Sequence, residues 1–325
     1  MKRRQWVLGA AALLAASHLH AQAPRLRRVA IGSPSAPDPA TNDVTGAKKR
    51  LQELGWVEGR TIEYVHGYAH GDAKRWEPMI VDLLAQKPDV LFVVFGAMAL
   101  IAMKHTKDVP IVFSISSNPE KVGLVASLAK PGGNVTGVST REQELLGKRI
   151  ELMREITPSL RRAAMLANPD SPGISKLYLE SYSEHARKFG IEVKHYDARS
   201  TEELPAAFDR MRRDRMQGLL NIADAFQLRA SKEVVANAAR LRLTAVYTIN
   251  NFVEAGGLAS FGTNLRDQHR RAADYVDKIL RGARPADLPV QEPTHFQLAV
   301  NLKAAREQGI KFPQSVLVRA DQVIE

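Results

Sequence analysis

Pro88-Asp89-Val90-Leu91-Phe92-Val93-Val94 is a short run whose side chains are all apolar once the opening turn pair is passed. A strand with one wet face alternates apolar and polar residues, so five consecutive apolar positions predict a strand covered on both faces, as in the middle of a parallel α/β sheet. Residues 109–115 repeat that character, and residues 97–106 between them read as a helix. Working backwards, residues 75–86 read as a helix and 61–65 as a strand. Arg28-Val29-Ala30-Ile31-Gly32 is a further buried strand, followed by a Pro/Asp-rich loop at 34–39. A helix near 41–54 puts Leu51 and Leu54 on one apolar face and stops at Gly55.

Forward from the same point, a helix is expected from Asn118-Pro119 to Ala129, then a turn at Lys130-Pro131-Gly132-Gly133-Asn134 and a fifth strand at 135–138. The rhythm then begins again. Residues 142–156, 174–189 and about 228–241 read as helices, and 163–167, 191–196, 218–222 and 244–248 as strands. Residues 200–203, from Ser200 to Glu203, have the spacing of a capping box opening another helix. This alternation is the pattern of serial βαβ units, so the fold class is α/β, with two similar halves. The last quarter supplies one strand at 258–262, one helix at 268–281 and one strand at 296–300, which suit completion of the two sheets rather than a third domain.

The amino terminus carries Lys2, Arg3 and Arg4, then an apolar run at 7–16, then small residues at Ala21 and Ala23. That is the layout of a cleavable export signal over residues 1–23, and its apolar stretch is too short to span a bilayer. The expected location is therefore periplasmic, with cleavage near Ala21 or Ala23. The chain has no cysteine, which excludes disulfides, thiolate metal sites, a cysteine nucleophile and a lipid-attachment cysteine. No second apolar run approaches 18 residues, so no membrane insertion is expected. The formal charge of +11 falls to +8 when Lys2, Arg3 and Arg4 leave. The densest basic run, Arg210-Met211-Arg212-Arg213-Asp214-Arg215, has the spacing of a solvated helix face, and no nucleic-acid partner is expected.

Several motifs resemble the ABC-transporter substrate-binding family that includes the tryptophan/tyrosine-type binding proteins. They are Leu51-Gln52-Glu53-Leu54-Gly55-Trp56-Val57-Glu58-Gly59-Arg60, the segment Gly123-Leu124-Val125-Ala126-Ser127-Leu128-Ala129 running on through 130–137, and Phe252-Val253-Glu254-Ala255-Gly256-Gly257-Leu258. Asn301-Leu302-Lys303-Ala304-Ala305 and Ala320-Asp321-Gln322-Val323-Ile324-Glu325 match it as well. The resemblance implies a type I periplasmic-binding-protein fold: two doubly wound parallel-sheet lobes joined by a three-crossover hinge, with a small-molecule ligand enclosed between them. By analogy the crossovers fall near 139–141, 254–258 and 286–292, giving lobe 1 residues 24–140 plus 257–286 and lobe 2 residues 141–256 plus 287–325. The implied role is a monomer that captures a small polar solute, an amino acid or small carboxylate, and delivers it to an ABC transporter permease. A sensory module for a receptor and, less favoured, an exported enzyme using the cleft remain the other readings.

Ligands of open parallel sheets bind beyond the carboxyl ends of the strands, where helix amino termini offer unpaired N–H groups. In lobe 1 the residues so placed are Ser33, Gly96, Ala97, Ser116, Ser117 and Asn118; in lobe 2 they are Asn168, Ser171, Asp224, Tyr247 and Asn250. Asp224 suits a ligand ammonium, and Tyr247 or Phe226 an apolar moiety. Each polar member could equally serve as a cap. Where the family frequently shows a Gly-Thr-Pro-like loop, this chain has Gly96-Ala97-Met98, which leaves backbone N–H groups to serve. Nothing points to catalysis or a cofactor: Gly-x-Ser-x-Gly, a P-loop and a strand-linked Gly-x-Gly-x-x-Gly are all absent. His66 and His70 are four apart, but Gly67 and Gly71 make that segment a poor helix and no third metal ligand is apparent.

Overall fold

The computed structural model describes residues 25–35, 44–170 and 176–325. The export segment therefore lies outside the described residues, as does Ser171. The first sheet has the order β2-β1-β3-β4-β5, built from β1 (Arg27–Ser33), β2 (Ile62–Tyr68), β3 (Val90–Phe95), β4 (Ile111–Ser116) and β5 (Val135–Ser139). All its pairings are parallel. β3 is central and its first five residues are buried, as the unbroken apolar run requires. Helices α1 (Thr45–Glu53), α2 (Trp76–Ala85) and α3 (Gly96–His105) supply the crossovers.

The second lobe opens with α4 (Glu142–Ile156) and alternates β6 (Arg162–Ala167), α5 (Lys176–Lys188), β7 (Glu192–Asp197), α6 (Leu204–Arg213), β8 (Gly218–Asn221), α7 (Ala225–Arg229), α8 (Ser231–Arg240), β9 (Thr244–Tyr247) and α9 (Asn251–Glu254). There follow β10 (Ala259–Gly262), α10 (Leu265–Leu280), β11 (Gln297–Asn301), α11 (Leu302–Gln308), α12 (Gln314–Arg319) and β12 (Gln322–Ile324). The second sheet has the order β12-β11-β10-β9-β8-β6-β7 and is parallel except between β10 and β11. Both sheets are covered on both faces, so each lobe has two apolar layers. The fold is the two-lobed doubly wound α/β architecture expected.

Five expectations are corrected. Residues 119–129 form turns, not a helix: Pro119 O accepts from Leu124 N at 2.8 Å, Glu120 Oε1 accepts from Leu128 N at 2.7 Å, and Gly123 takes a left-handed φ of 79° that ends any helical run. Ser200 makes no capping bond; Glu203 reaches back to Arg199 N instead, and α6 starts at Leu204 after a 3-10 turn. The helix expected from about 228 divides at Ala230 into α7 and α8. The segment assigned to lobe 1 as 257–286 is split, since β10 pairs with β9 and β11 in the second sheet while α10 packs on the first through Ala272, Ala273, Val276 and Leu280. Residues 288–291, assigned to lobe 2, bind lobe 1: Thr136 Oγ1 donates to Leu288 O, and Gln291 exchanges backbone bonds with Gly137 and Ser139. The three crossings therefore sit after β5, after β10 and before β11.

Arg149 on α4 holds this region together. Its side chain has no exposed surface, yet its guanidinium donates to Phe261 O at 2.7 Å, Thr248 O at 3.4 Å and Tyr182 Oη at 3.2 Å, and pairs with Glu142. Removing one partner of a buried ion pair strands the other, so Arg149→Met is expected to lower stability by about 3–5 kcal/mol, read as a fall in the denaturant midpoint.

Candidate ligand-binding site

Between the lobes, at the carboxyl ends of β3, β4, β8 and β9, lies a cavity of about 180 Å³. Its size suits one small solute. Lobe 1 contributes Trp76, Phe95, Leu100, Ile115 and Val122 as apolar walls, and lobe 2 contributes Ile222, Leu228 and Ile249. Trp76 and Phe95 lie near parallel, ring centroids 6.3 Å apart with 26° between planes. The polar groups are Ser116, Ser117, Thr140, Asp224, Thr248 and Thr263, with Glu142. No lysine, arginine or histidine stands among the described lining residues. A wider groove of about 750 Å³ opens at the amino-terminal ends of the lobe 1 strands. It is bounded by that lobe alone, so a guest there could not report on the angle between lobes.

Gly96 and Ala97 open α3 at the cavity edge, and the preceding Phe95 gives no side-chain cap, so the first-turn N–H groups and the positive helix end face the space. Gly96 is required by packing: a Cβ there would stand 2.7 Å from Leu124 Cδ1 and 2.9 Å from Ser116 Oγ. Ser116 follows a register irregularity between β4 and β5, a device that re-aims side chains, and its carbonyl is fixed by Thr140 N at 2.8 Å. Across the gap, Asp224 caps α7 by accepting from Gln227 N at 2.8 Å, and its second oxygen accepts from Asn168 Nδ2 at 2.7 Å. Asp224 is only 7% exposed.

Of the residues singled out by sequence, the cavity gathers Gly96, Ala97, Ser116, Ser117 and Asp224. Asn168 stands one step behind, orienting Asp224. The other described ones are used elsewhere. Ser33 is buried at the end of β1 against Ser35, and Asn118 receives Lys121 N at 3.2 Å as a turn cap. Asn250 binds Glu254 and Gln322. Tyr247 lies in the lobe 2 core, stacked on Phe252 at 4.9 Å, and burial alone drives its phenol far above the ordinary tyrosine range. Phe226 belongs to the same core. The apolar wall is thus made by Trp76 and Phe95, which the sequence reading did not single out. Trp76 opens α2, and the strand-end rule gave no reason to look there.

At the mouth, the lobes touch directly. Arg229 at the end of α7 donates to His70 O at 2.7 Å. Gly71 permits this, since its φ of 79° and missing side chain leave the path that Arg229 Nη1 takes; a Cβ there would lie 1.8 Å from that atom. Trp76, Ser116, Asp224 and Thr248 are all buried.

The family model for ABC transporter substrate-binding proteins matches residues 28–324. The chain belongs to the ABC transporter substrate-binding family. It is 24% identical over 287 residues to the tyrosine-binding protein of Clostridioides difficile strain R20291, covering 85% of this chain and 80% of that one. Among solved structures, the ABC domain from Streptococcus pneumonia in complex with L-Trp superposes with a TM-score of 0.82 at 27% identity, covering 92% of this chain and all of that one. A conserved domain protein from Vibrio cholerae gives 0.84 at 26% identity with the same coverage. The fold is that of the type I periplasmic binding proteins, and the family is one of extracytoplasmic solute-binding proteins, not enzymes. Among the described residues no helix is long and apolar enough to cross a membrane. Gly96→Ala is expected to displace Ser116 and cost about 1–3 kcal/mol of stability through overpacking, measured by urea unfolding.

Proposed function

We propose that this substrate-binding protein captures an amino acid with an apolar or aromatic side chain and presents it to an ABC permease. The observation that carries the reading is the division of labour in the cavity. The unpaired N–H groups at the start of α3, with Ser116 and Ser117, suit a carboxylate, while Asp224 faces them from the other lobe as partner for an ammonium. Trp76, Phe95, Leu100, Ile222 and Leu228 enclose the apolar remainder. The relatives that bind tyrosine and L-Trp support that ligand class. The charge ends fall on opposite lobes, so a zwitterion bridges them and favours the shut form by its differential affinity. The shut form is the one a permease would read. Export through the signal at residues 1–23 would place this work in the periplasm, with the chain acting as a monomer.

A thermal-shift screen over amino acids and small carboxylates tests the reading. A ligand at about 100 times its Kd adds roughly 2.7 kcal/mol, which moves the Tm by several degrees. Asp224→Asn is expected to weaken amino-acid binding about ten- to a hundredfold while leaving the response to simple carboxylates unchanged. Equal affinity for zwitterions in the variant would remove the ammonium role. Arg229→Ala is expected to speed ligand release about threefold to tenfold, one lost hydrogen bond's worth, measured by stopped-flow fluorescence of the cavity tryptophan.

A further inference from the structure

The end of lobe 2 farthest from the cavity is formed by the loops that lead into the amino ends of β6, β7, β8 and β9, and the sheet joins them into one surface. Arg162 stands opposite Glu192, Ala163 opposite Gly218 and Gly218 opposite Thr244. Gln217 N donates to Arg162 O at 3.0 Å, Thr244 N to Gln217 O at 2.9 Å and Glu192 N to Arg161 O at 2.8 Å. Residues 157–162, 187–192, 212–217 and 240–244, which make up these loops, hold nine cations against two carboxylates, a net +7 in a chain that carries +8 without its export segment. One of the two carboxylates, Asp214, is already engaged by Lys194 Nζ and Tyr196 Oη, each at 2.6 Å, and Asp209, one turn back on α6, pairs with Arg212 at 3.7 Å. Lys188, Arg213, Arg215 and Arg242 are exposed, and among the described residues their side chains make no hydrogen bond or ion pair.

Two of these positions carry a second signal. Arg215 and Arg242 occupy left-handed backbone, at φ 53° and 52°, in the turns that close α6 and α8. In each turn the N–H returns to the helix, Arg215 N to Arg212 O at 3.0 Å and Arg242 N to Ala239 O at 2.9 Å. Glycine takes that position without steric cost, and it closes the same turn at Gly190 after α5 and Gly282 after α10. Cations in the last turn complement a helix carboxyl end, which accounts for Arg212, Arg213 and Arg240. That gives no reason for an arginine one step beyond, in backbone that glycine suits better, unless the side chain itself is used.

We infer that this pole of lobe 2 is a docking surface for the phosphate headgroups of an anionic lipid bilayer. Eight of its nine cations are arginine, whose forked guanidinium matches phosphate oxygens. They spread over four loops instead of lining either cavity, so the surface suits a flat array of phosphates rather than a small guest. None of the exposed large apolar side chains lies in these loops, so the contact is electrostatic and without insertion. A member of an extracytoplasmic family works beside a membrane, and the sequence contains no cysteine to which a lipid could be attached. The interlobe cavity lies at the opposite ends of β8 and β9, so an adsorbed protein keeps it clear.

The test is sedimentation of the protein, purified after export, with vesicles of phosphatidylcholine alone and of phosphatidylcholine with about 30% phosphatidylglycerol, at about 0.05 M and about 0.5 M salt. Binding is expected to the anionic vesicles only, and to be lost at the higher salt. Arg215→Gly and Arg242→Gly are each expected to weaken partitioning about fivefold, one cation's share, and the double variant about twentyfold. Both changes relieve left-handed backbone, so the Tm should hold or rise, which separates lost docking from lost folding. Lys87→Gly is the matched control: it removes one charge from the same kind of position, φ 52°, in the turn after α2 in lobe 1, and should leave partitioning unchanged. Equal weakening by Lys87→Gly would show that net charge alone is read and would overturn the assignment to this pole. Failure to bind anionic vesicles at low salt, equal binding to phosphatidylcholine alone, or wild-type binding by the Arg215 and Arg242 variants would overturn it too. So would binding to a DNA duplex, as parallel probe, with none to the vesicles.

Discussion

A guanidinium with no contact with water is the constraint on which the hinge and the site both depend. Arg149 grows from α4, the first element after the chain leaves lobe 1, and reaches the ends of β9 and β10, the last strands before the chain returns. Burying such a charge is unfavourable unless every donor is met by an acceptor held in place. Here those acceptors are two carbonyls at strand ends, a buried phenol and the carboxylate of Glu142, so the elements that carry the crossings must keep one mutual arrangement. Arg149 thereby ties α4, β9 and β10 into one unit beside the crossings.

That unit also shapes the cavity. Thr248, whose carbonyl Arg149 holds, lines it, and Glu142 lines the same space while paired to Arg149. The pairing matters electrostatically, because two unpaired carboxylates facing one small volume would repel each other and raise the cost of closing. Neutralising Glu142 from behind leaves Asp224, tied to Asn168 and the start of α7, as the acidic group placed opposite the α3 terminus.

Much of this was legible in the residues. The unbroken apolar run of β3 and its repeat in β4 indicated a parallel sheet, and of the residues the strand-end rule singles out, Gly96, Ala97, Ser116, Ser117 and Asp224 line one cavity. Local rules failed where tertiary contacts outweighed them. Residues 119–129 have helix-compatible composition, yet Pro119, Gly123 and the Glu120 carboxylate satisfy the backbone as turns. Ser200 and Glu203 have capping-box spacing, but Glu203 finds Arg199 N first. Asn250 and Tyr247 sit at the correct strand end and point elsewhere, into a polar cluster with Gln322 and into the lobe 2 core. Trp76 was missed because nothing local distinguishes a tryptophan lining a cavity from one filling a core; only the packed structure, which sets it beside Phe95 at the cavity, does.

The contact at the mouth must be weak for the device to work. A ligand that carries a two-state hinge from 1:99 to 99:1 in favour of closure must supply about 5.5 kcal/mol of differential affinity. If interlobe contacts already supplied most of that, the empty protein would stay shut and a closed shape would carry no information. The hydrogen bond from the exposed Arg229 to His70 O contributes about 0.5–1.5 kcal/mol, a small share of that figure, and Phe95 adds an apolar contact with the lobe 2 core. On the proposed reading, the large terms are those that only a ligand would complete: the α3 terminus on one lobe, Asp224 on the other, and apolar walls from both.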